Sequence, residues 1–144
     1  MQVDHIALAV RSIEGTAARL VALLGYRVRT TKVTNSRQKV NVVFLSKDGS
    51  IDLKLIEPSA SDSPLWDFVR KGGGLHHLCF RVPDVPAACT TLTEAGVRLL
   101  SAPAPGEAFD DALIAFLYLG SGLNVELIDT DARRGEFPAG PAEA

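Results

Sequence analysis

Two stretches decide the fold of this chain, DHIALAV at residues 4–10 and HHLCFRV at residues 76–82. They align with His5 on His77, which lies 72 residues later in the sequence. The same offset relates two further pairs of segments, 42–45 with 114–117 and 53–56 with 125–128. Two similar halves normally pack about a pseudo-twofold axis, so we expect equivalent positions of the two halves to meet.

Composition and charge narrow the class of protein. With 144 residues, 47% hydrophobic content and a net charge of −2, the chain is expected to form a single domain with a substantial core. The lack of a basic run argues against a nucleic-acid partner, and no apolar stretch approaches the roughly 20 residues of a membrane span. No signal-peptide pattern opens the chain, and Cys79 and Cys89 lack a CxxC spacing. We therefore predict a cytoplasmic protein without a membrane partner.

Each half is predicted to fold as a βαβββ module, which makes the chain an α+β protein. The first module covers about residues 2–57, a connector 58–74, the second module 75–129 and a loose C-terminal tail 130–144. Ser12 and Asp84 are the expected N-caps of the two module helices. Within the second module, residues 103–111 form the longest insertion and are a candidate lid.

Strand alternation predicts which side chains line the inner face of the sheet. Each module helix needs an apolar sheet face to cover, and Leu8 with its neighbours two residues away supplies one. The helices therefore lie outside, and the opposite face of a cupped mixed sheet carries the polar side chains. This inner set consists of His5 and Lys54 in the first half and His77 and Glu126 in the second.

Structural explanations compete with a functional one for these residues. A single histidine that faces a core is more often a hydrogen-bonded structural residue than a ligand. Two histidines at equivalent positions of a repeat favour a shared site. A salt bridge between Lys54 and Glu126, with no metal, is the other alternative.

The sequence resembles the vicinal oxygen chelate superfamily, which has the glyoxalase fold, and within it the methylmalonyl-CoA epimerase family. The resemblance covers about residues 2–129, and the GGLHHLC segment at 73–79 is its most specific part. The other matching segments are DHIA at 4–7, VVF at 42–44, LIEP at 55–58, DSP at 62–64 and VEL at 125–127. The resemblance implies that His5, His77 and Glu126 bind one divalent metal ion (Co, Ni, Mn, Zn or Fe).

The chain departs from the family pattern at two positions. The fourth ligand of the family, a Gln or Glu, corresponds to Lys54, and an ammonium group cannot bind a cation. Some epimerases carry an acidic base on the third strand, where this chain has Asn41. Both departures bear on the activity more than on the fold.

The resemblance implies an isomerase that removes a proton next to a carbonyl or thioester, with an acyl-CoA of the methylmalonyl type as its substrate. Lys54 and Glu126 would then act as bases on the two faces of the carbon, while Arg81 and Asn41 bind the substrate. Members of the family commonly form homodimers, and we expect one here.

Two other functions are consistent with the same residues. Two histidines and one glutamate also bind iron in non-haem dioxygenases, and lyases share the fold. A protein of this fold can also bind or sequester a small molecule without converting it, as resistance proteins do. Metal content and oxygen consumption distinguish these alternatives.

Overall fold

The two strands that carry the histidine stretches, Gln2–Ala9 and Gly74–Arg81, pair antiparallel at the centre of one nine-stranded mixed sheet. The computed structural model describes residues 1–138. Its elements are β1 Gln2–Ala9, α1 Ile13–Leu24, β2 Arg27–Val28, β3 Val33–Asn35, β4 Val40–Ser46, β5 Asp52–Pro58, α2 Leu65–Arg70, β6 Gly74–Arg81, α3 Val85–Glu94, β7 Arg98–Gly106, a 3₁₀ turn Glu107–Phe109, β8 Ala112–Gly120 and β9 Leu123–Ile128. The predicted α+β fold is confirmed.

The strand order is β2-β4-β5-β1-β6-β9-β8-β7, and β3 pairs with β4. Strand β5 runs parallel to β1, and β9 runs parallel to β6. The last strand of each module is thus the immediate neighbour of its first strand. This order places the polar residues of β5 and β9 on either side of the central histidine strands.

The 72-residue repeat holds in the strand register. Ala7 pairs with Lys54 in the first module, and Cys79 pairs with Glu126 in the second. The β4–β5 and β8–β9 hairpins repeat in the same way, with Phe44 opposite Lys54 and Phe116 opposite Glu126. Lys54 and Glu126 therefore occupy equivalent positions of the two modules.

The sheet buries both of its faces. On the outer face, α1 packs on Val43, Leu45 and Leu55, and α3 packs on the equivalent residues of the second module. The side chains of Ser12 and Asp84 cap the two helices as predicted, accepting from the N–H groups of Gly15 and Ala87. The inner face holds a separate core of twelve buried residues: Ala9, Val40, Val42, Phe44, Ile56, Leu65, Val69, Cys79, Ala108, Phe109, Ile114 and Ile128.

Two expectations about irregular segments need correction. Much of the 103–111 segment is not a loop, because β7 continues to Gly106 and the following turn buries Phe109 in the inner core. Prolines fit there since β7 is an edge strand, which need not donate from every N–H group. Nor are residues 130–138 loose, because Arg133 is only 4% exposed. The remainder of the predicted tail, 139–144, lies outside the described residues.

No helix among residues 1–138 is long and apolar enough to cross a membrane.

The Gly72–Gly74 run at the start of β6 generates a stability prediction. A Cβ on Gly73 would lie 2.5 Å from the carbonyl oxygen of Ala9, whereas one on Gly72 would meet nothing within 4 Å. Both glycines have positive φ, so alanine strains the backbone at either position. We expect Gly73→Ala to lower the free energy of unfolding by about 1–3 kcal/mol more than Gly72→Ala does. Urea denaturation of both variants measures this, and equal losses would contradict the close approach to β1.

Candidate active site

Four buried polar side chains meet on the inner face of the sheet. Glu126 is fully buried, and its Oε1 lies 3.1 Å from His5 Nε2 and 3.4 Å from His77 Nε2. The ammonium nitrogen of Lys54 lies 3.4 Å from each oxygen of the same carboxylate. The structure thus brings together the four inner-face residues singled out in the sequence.

The aromatic surroundings of the two histidines repeat as well. Phe44 lies edge-on to His5 with ring centroids 5.2 Å apart, and Phe116 lies edge-on to His77 at the same distance. Phe109 adds a stacked contact to His5 and places its ring under the Lys54 ammonium, 5.1 Å away. Apolar walls of this kind strengthen the electrostatic interactions that they enclose.

Burial and neighbouring charges determine the ionisation of the cluster. Burial alone would raise the pKa of Glu126, but the Lys54 charge, the hydrogen bond of His5 and the nearby His77 imidazole hold it well below its usual range. Burial lowers the pKa of His77 to about 3, against the opposing pull of Glu126. At neutral pH the cluster therefore contains a glutamate anion and a neutral His77.

The carboxylate of Asp4 is the hydrogen-bond partner of His5 Nδ1. Burial opposes ionisation of Asp4, but hydrogen bonds from His5 and Arg81 and the charge of Arg133 lower its pKa to about 2. An ionised carboxylate has no proton to give, so His5 Nδ1 donates to Asp4 Oδ2 over 2.7 Å. The other ring nitrogen, Nε2, is hydrogen-bonded to Glu126 Oε1 at 3.1 Å, so His5 joins the two carboxylates.

The donor atoms of His5, His77 and Glu126 fit a divalent metal ion. The three atoms lie within 4.8 Å of one another. Ligands about 2.1 Å from a metal are about 3.0–3.4 Å apart, which matches the 3.1 and 3.4 Å separations around Glu126 Oε1. Among the described residues, His77 Nε2 has no hydrogen-bond partner, as expected for an atom that serves as a ligand. The Lys54 ammonium lies beside these three residues, at the position that corresponds to the fourth ligand of the family.

The structure places two predicted substrate-binding residues elsewhere. Asn41 was expected to bind substrate but does not reach the inner face, since strand alternation puts its neighbours Val40 and Val42 there. Its side chain instead bonds to Thr34 and Glu57. Arg81 lies at the rim, 38% exposed at its side chain, where Asp4 and Asp131 both engage its Nη2.

Three side chains near the site, Asp4, Phe109 and Arg133, were not identified from the sequence. Asp4 has the wrong strand parity for the inner face, but a register irregularity between Val3 and His5 turns it toward His5. Phe109 lies in the segment interpreted as a lid, and Arg133 lies in the segment interpreted as a tail. The polar residue next to His5 was a usable signal for Asp4, whereas no periodic pattern marks the other two.

The fold and this site define a glyoxalase-type protein. Residues 4–116 match the Glyoxalase/Bleomycin resistance protein/Dioxygenase superfamily, and the chain belongs to it.

Within this superfamily, the chain is similar to proteins named as methylmalonyl-CoA epimerases. The chain is 31% identical over 119 residues to the ethylmalonyl-CoA/methylmalonyl-CoA epimerase of Cereibacter sphaeroides, which covers 81% of this chain and 87% of that protein. It is 34% identical over 102 residues to human mitochondrial methylmalonyl-CoA epimerase, covering 69% of this chain but only 57% of the human protein. A solved structure of the Streptomyces coelicolor methylmalonyl-CoA epimerase in complex with 2-nitronate-propionyl-CoA superimposes with a TM-score of 0.79 at 30% identity, covering 92% of this chain and 99% of that one.

The buried Lys54–Glu126 pair generates a prediction about stability. Removing one partner leaves an uncompensated buried charge, so Glu126→Leu is expected to lower the free energy of unfolding by about 3–5 kcal/mol. The double variant Lys54→Met with Glu126→Leu removes both charges and should recover most of that loss. Urea denaturation of the parent, both single variants and the double variant gives the coupling energy. Additive losses would show that the two charges do not stabilise each other.

Proposed function

We propose that this protein is an epimerase that inverts the α-carbon of an acyl-CoA thioester of the methylmalonyl type. The observation that carries the proposal is the placement of an ammonium and a carboxylate, Lys54 and Glu126, at equivalent positions of two modules. Inversion requires proton removal on one face of a carbon and proton return on the other. Two proton-carrying groups related by a pseudo-twofold axis supply that arrangement, and the similarity to epimerases supports the same class of substrate.

The proton count of the Lys54–Glu126 pair is consistent with inversion in both directions. In one direction the Glu126 carboxylate takes the α-proton, an enolate forms, and the Lys54 ammonium returns a proton to the opposite face. The pair is then left as an amine and a carboxylic acid, which is the form needed for the reverse direction. Direct transfer between Nζ and the carboxylate oxygens, 3.4 Å apart, resets it.

When the substrate binds, its carboxylate can replace Glu126 as the ionic partner of Lys54. Lys54 is 3% exposed, so entry of a carbon centre between Nζ and Glu126 separates two charges among buried apolar side chains. The carboxylate of a malonyl-type substrate offers the ammonium a new partner. The site therefore favours a substrate that carries its own negative charge beside the reacting carbon.

We also propose that His5, His77 and Glu126 hold a divalent ion in this enzyme. Oε1 of Glu126 faces both imidazoles, while the Lys54 ammonium lies equally close to both carboxylate oxygens, at 3.4 Å. Such an ion, when bound, acts as a Lewis acid on the substrate oxygens. Three protein ligands leave coordination positions for the substrate.

Two observations support finer proposals about the protein's state. β7 ends the sheet and exposes Leu99 and Leu100, so we propose that the chain forms a homodimer, which light scattering of the purified protein measures.

Both cysteines are free and buried, which supports a reducing, cytoplasmic location.

The proposed metal set makes a prediction about affinity. We expect His5→Gln and His77→Gln each to weaken Co²⁺ binding to the chelator-treated protein at least 10-fold, because each removes one of three ligands. Arg134→Gln is the control, since the partners of Arg134 are Asp110 and Asp111 at the surface, and it should leave the affinity unchanged. Lys54→Glu removes a repelling cation and adds a ligand, so it should bind Co²⁺ more tightly than the parent. Isothermal titration measures all four, and equal affinities throughout would exclude this site.

The proposed chemistry makes a prediction about turnover. Lys54→Ala should lower the rate of methylmalonyl-CoA epimerisation at least about 100-fold, since one face of the carbon loses its proton carrier. In D₂O the variant should still exchange the α-proton of one epimer through Glu126, without inversion. Lys71→Ala, a change of an exposed lysine, is the matched control and should retain the parent rate.

Two results would contradict the epimerase proposal. Unchanged epimerisation by Lys54→Ala would remove Lys54 from the chemistry. A parent protein that consumes oxygen with bound iron, or that binds ligands without turnover, would instead be a dioxygenase or a binding protein.

A further inference from the structure

The four polar side chains of the proposed site lie out of reach of solvent, since none of them is more than 3% exposed. An acyl-CoA thioester is much larger than a water molecule. Part of the protein that covers the inner face must therefore move before such a substrate reaches Lys54 and Glu126. The segment that moves is the one whose closed position is held by the smallest free energy.

Three segments of the described chain cover the inner face, and two of them are held by buried contacts. Helix α2 packs Leu65 into the inner core, and the glycine run that follows it lies against β1 at Gly73. Residues 130–138 are anchored by Arg133, whose buried guanidinium pairs with the carboxylate of Asp4. Loss of buried apolar packing or of a buried ion pair is strongly unfavourable, so these two segments stay in place.

The third segment is the turn at residues 107–111, which places the ring of Phe109 over the site. This ring stacks on His5 with centroids 6.0 Å apart, and its centroid lies 5.1 Å from the ammonium nitrogen of Lys54. Withdrawal of this one ring uncovers the imidazole and the ammonium together. Phe109 is therefore a cover in direct contact with the proposed chemistry.

The polar contacts that hold this turn lie at the surface. Arg134 pairs with Asp110 and Asp111 at 3.2 and 3.0 Å, and all three side chains are at least 38% exposed. The carboxylate of Glu107 accepts from the backbone N–H and the hydroxyl of Ser36 in two further exposed contacts. Contacts between solvent-exposed charged groups contribute little to stability. The outer side of the turn is thus held weakly.

The backbone of the turn is also strained in its closed position. Asp110 and Asp111 both have positive φ, 53° and 64°, in the left-handed region that favours glycine. Aspartate tolerates this region better than most residues do, but two in succession still raise the free energy of the closed turn. Weak outer contacts and a strained backbone make residues 107–111 the covering segment that opens most readily.

We propose that the turn at residues 107–111 is a gate, which Arg134 holds closed through Asp110 and Asp111 and which moves Phe109 off the site to admit the substrate. This deepens the proposed function, which supplies only the identity of the substrate. Opening of the gate is a property of the free protein and is measured without substrate.

The two cysteines of the chain report this opening. Cys79 lies in the inner core, with its sulfur within 4.8 Å of a ring nitrogen of His5, whereas Cys89 lies on α3 in the outer core. Both are free and buried. A small thiol reagent, methyl methanethiosulfonate, modifies Cys79 when the site opens and Cys89 only when the outer core opens. Mass spectrometry of peptides after timed exposure gives both rates.

Arg134→Met removes both surface pairs and should raise the rate of Cys79 modification about 3–10-fold, with the Cys89 rate unchanged. The closed turn remains the dominant state in this variant, so the rate of modification changes while the equilibrium affinity for Co²⁺ does not. The double variant Asp110→Asn with Asp111→Asn loses the same pairs and should accelerate Cys79 modification equally. Adding Arg134→Met to it should have little further effect.

The matched control is Arg70→Met, which changes an exposed arginine of α2. Arg70 pairs with Asp67 at the surface, as Arg134 pairs with its own partners, but on a different covering segment. We expect Arg70→Met to modify Cys79 at the parent rate.

Phe109→Ala tests the cover itself. The ring is then absent whether the turn is open or closed, so the ratio of the Cys79 rate to the Cys89 rate should rise at least about 10-fold. The ratio accounts for any loss of overall stability, because global unfolding exposes both cysteines alike.

Four results would overturn the proposal: a parent-like Cys79 rate in Arg134→Met, an equal rise in Arg70→Met, a parallel rise of Cys79 and Cys89 in Arg134→Met, or an unchanged ratio in Phe109→Ala. The last measurement adds methylmalonyl-CoA to the parent protein, where protection of Cys79 supports admission of this substrate through the gate. Lack of protection together with the expected variant rates would instead contradict the proposed function alone.

Discussion

The structure depends on one buried anion, the carboxylate of Glu126. A carboxylate with no solvent contact is unstable by several kcal/mol unless charges and hydrogen bonds surround it. Here both imidazoles and the Lys54 ammonium converge on its two oxygens. The position of each of these groups on the inner face follows from the need to satisfy that charge in an apolar enclosure.

The framework of the two modules is more symmetric than the polar side chains that it carries. The strand register and the phenylalanine that lies against each histidine repeat between modules, so the framework is close to symmetric. The functional groups differ where the symmetry breaks: Lys54 is equivalent to Glu126, and the Nδ1 partner of His5 is Asp4 whereas that of His77 is His76. In the proposed epimerisation, the equivalent positions would meet the two faces of the substrate, and these unequal residues would act there as an acid and a base.

Much of this site could be predicted from the sequence, because strand alternation and a fixed repeat offset are local properties of the chain. A period of two residues assigns His5 and Lys54 to one face, and the 72-residue offset assigns His77 and Glu126 to the equivalent face of the other module. The same alternation applies to Asn41, which lies on the opposite face from Val40 and Val42. The substrate-binding role expected for Asn41 came from its family position and not from this alternation.

The sequence by itself determined the fold class, the helix caps and the four residues of the inner face, since each follows from periodicity or from short-range hydrogen bonding. Only the tertiary structure decided the roles of Asp4, Phe109 and Arg133. Asp4 depends on an irregularity in strand pairing, and Phe109 depends on a turn that folds inward. Arg133 lies 129 residues from Asp4 in sequence, and their contact depends on the path of a segment without periodic structure. A local pattern carries no information about such a path, because packing against both modules fixes it.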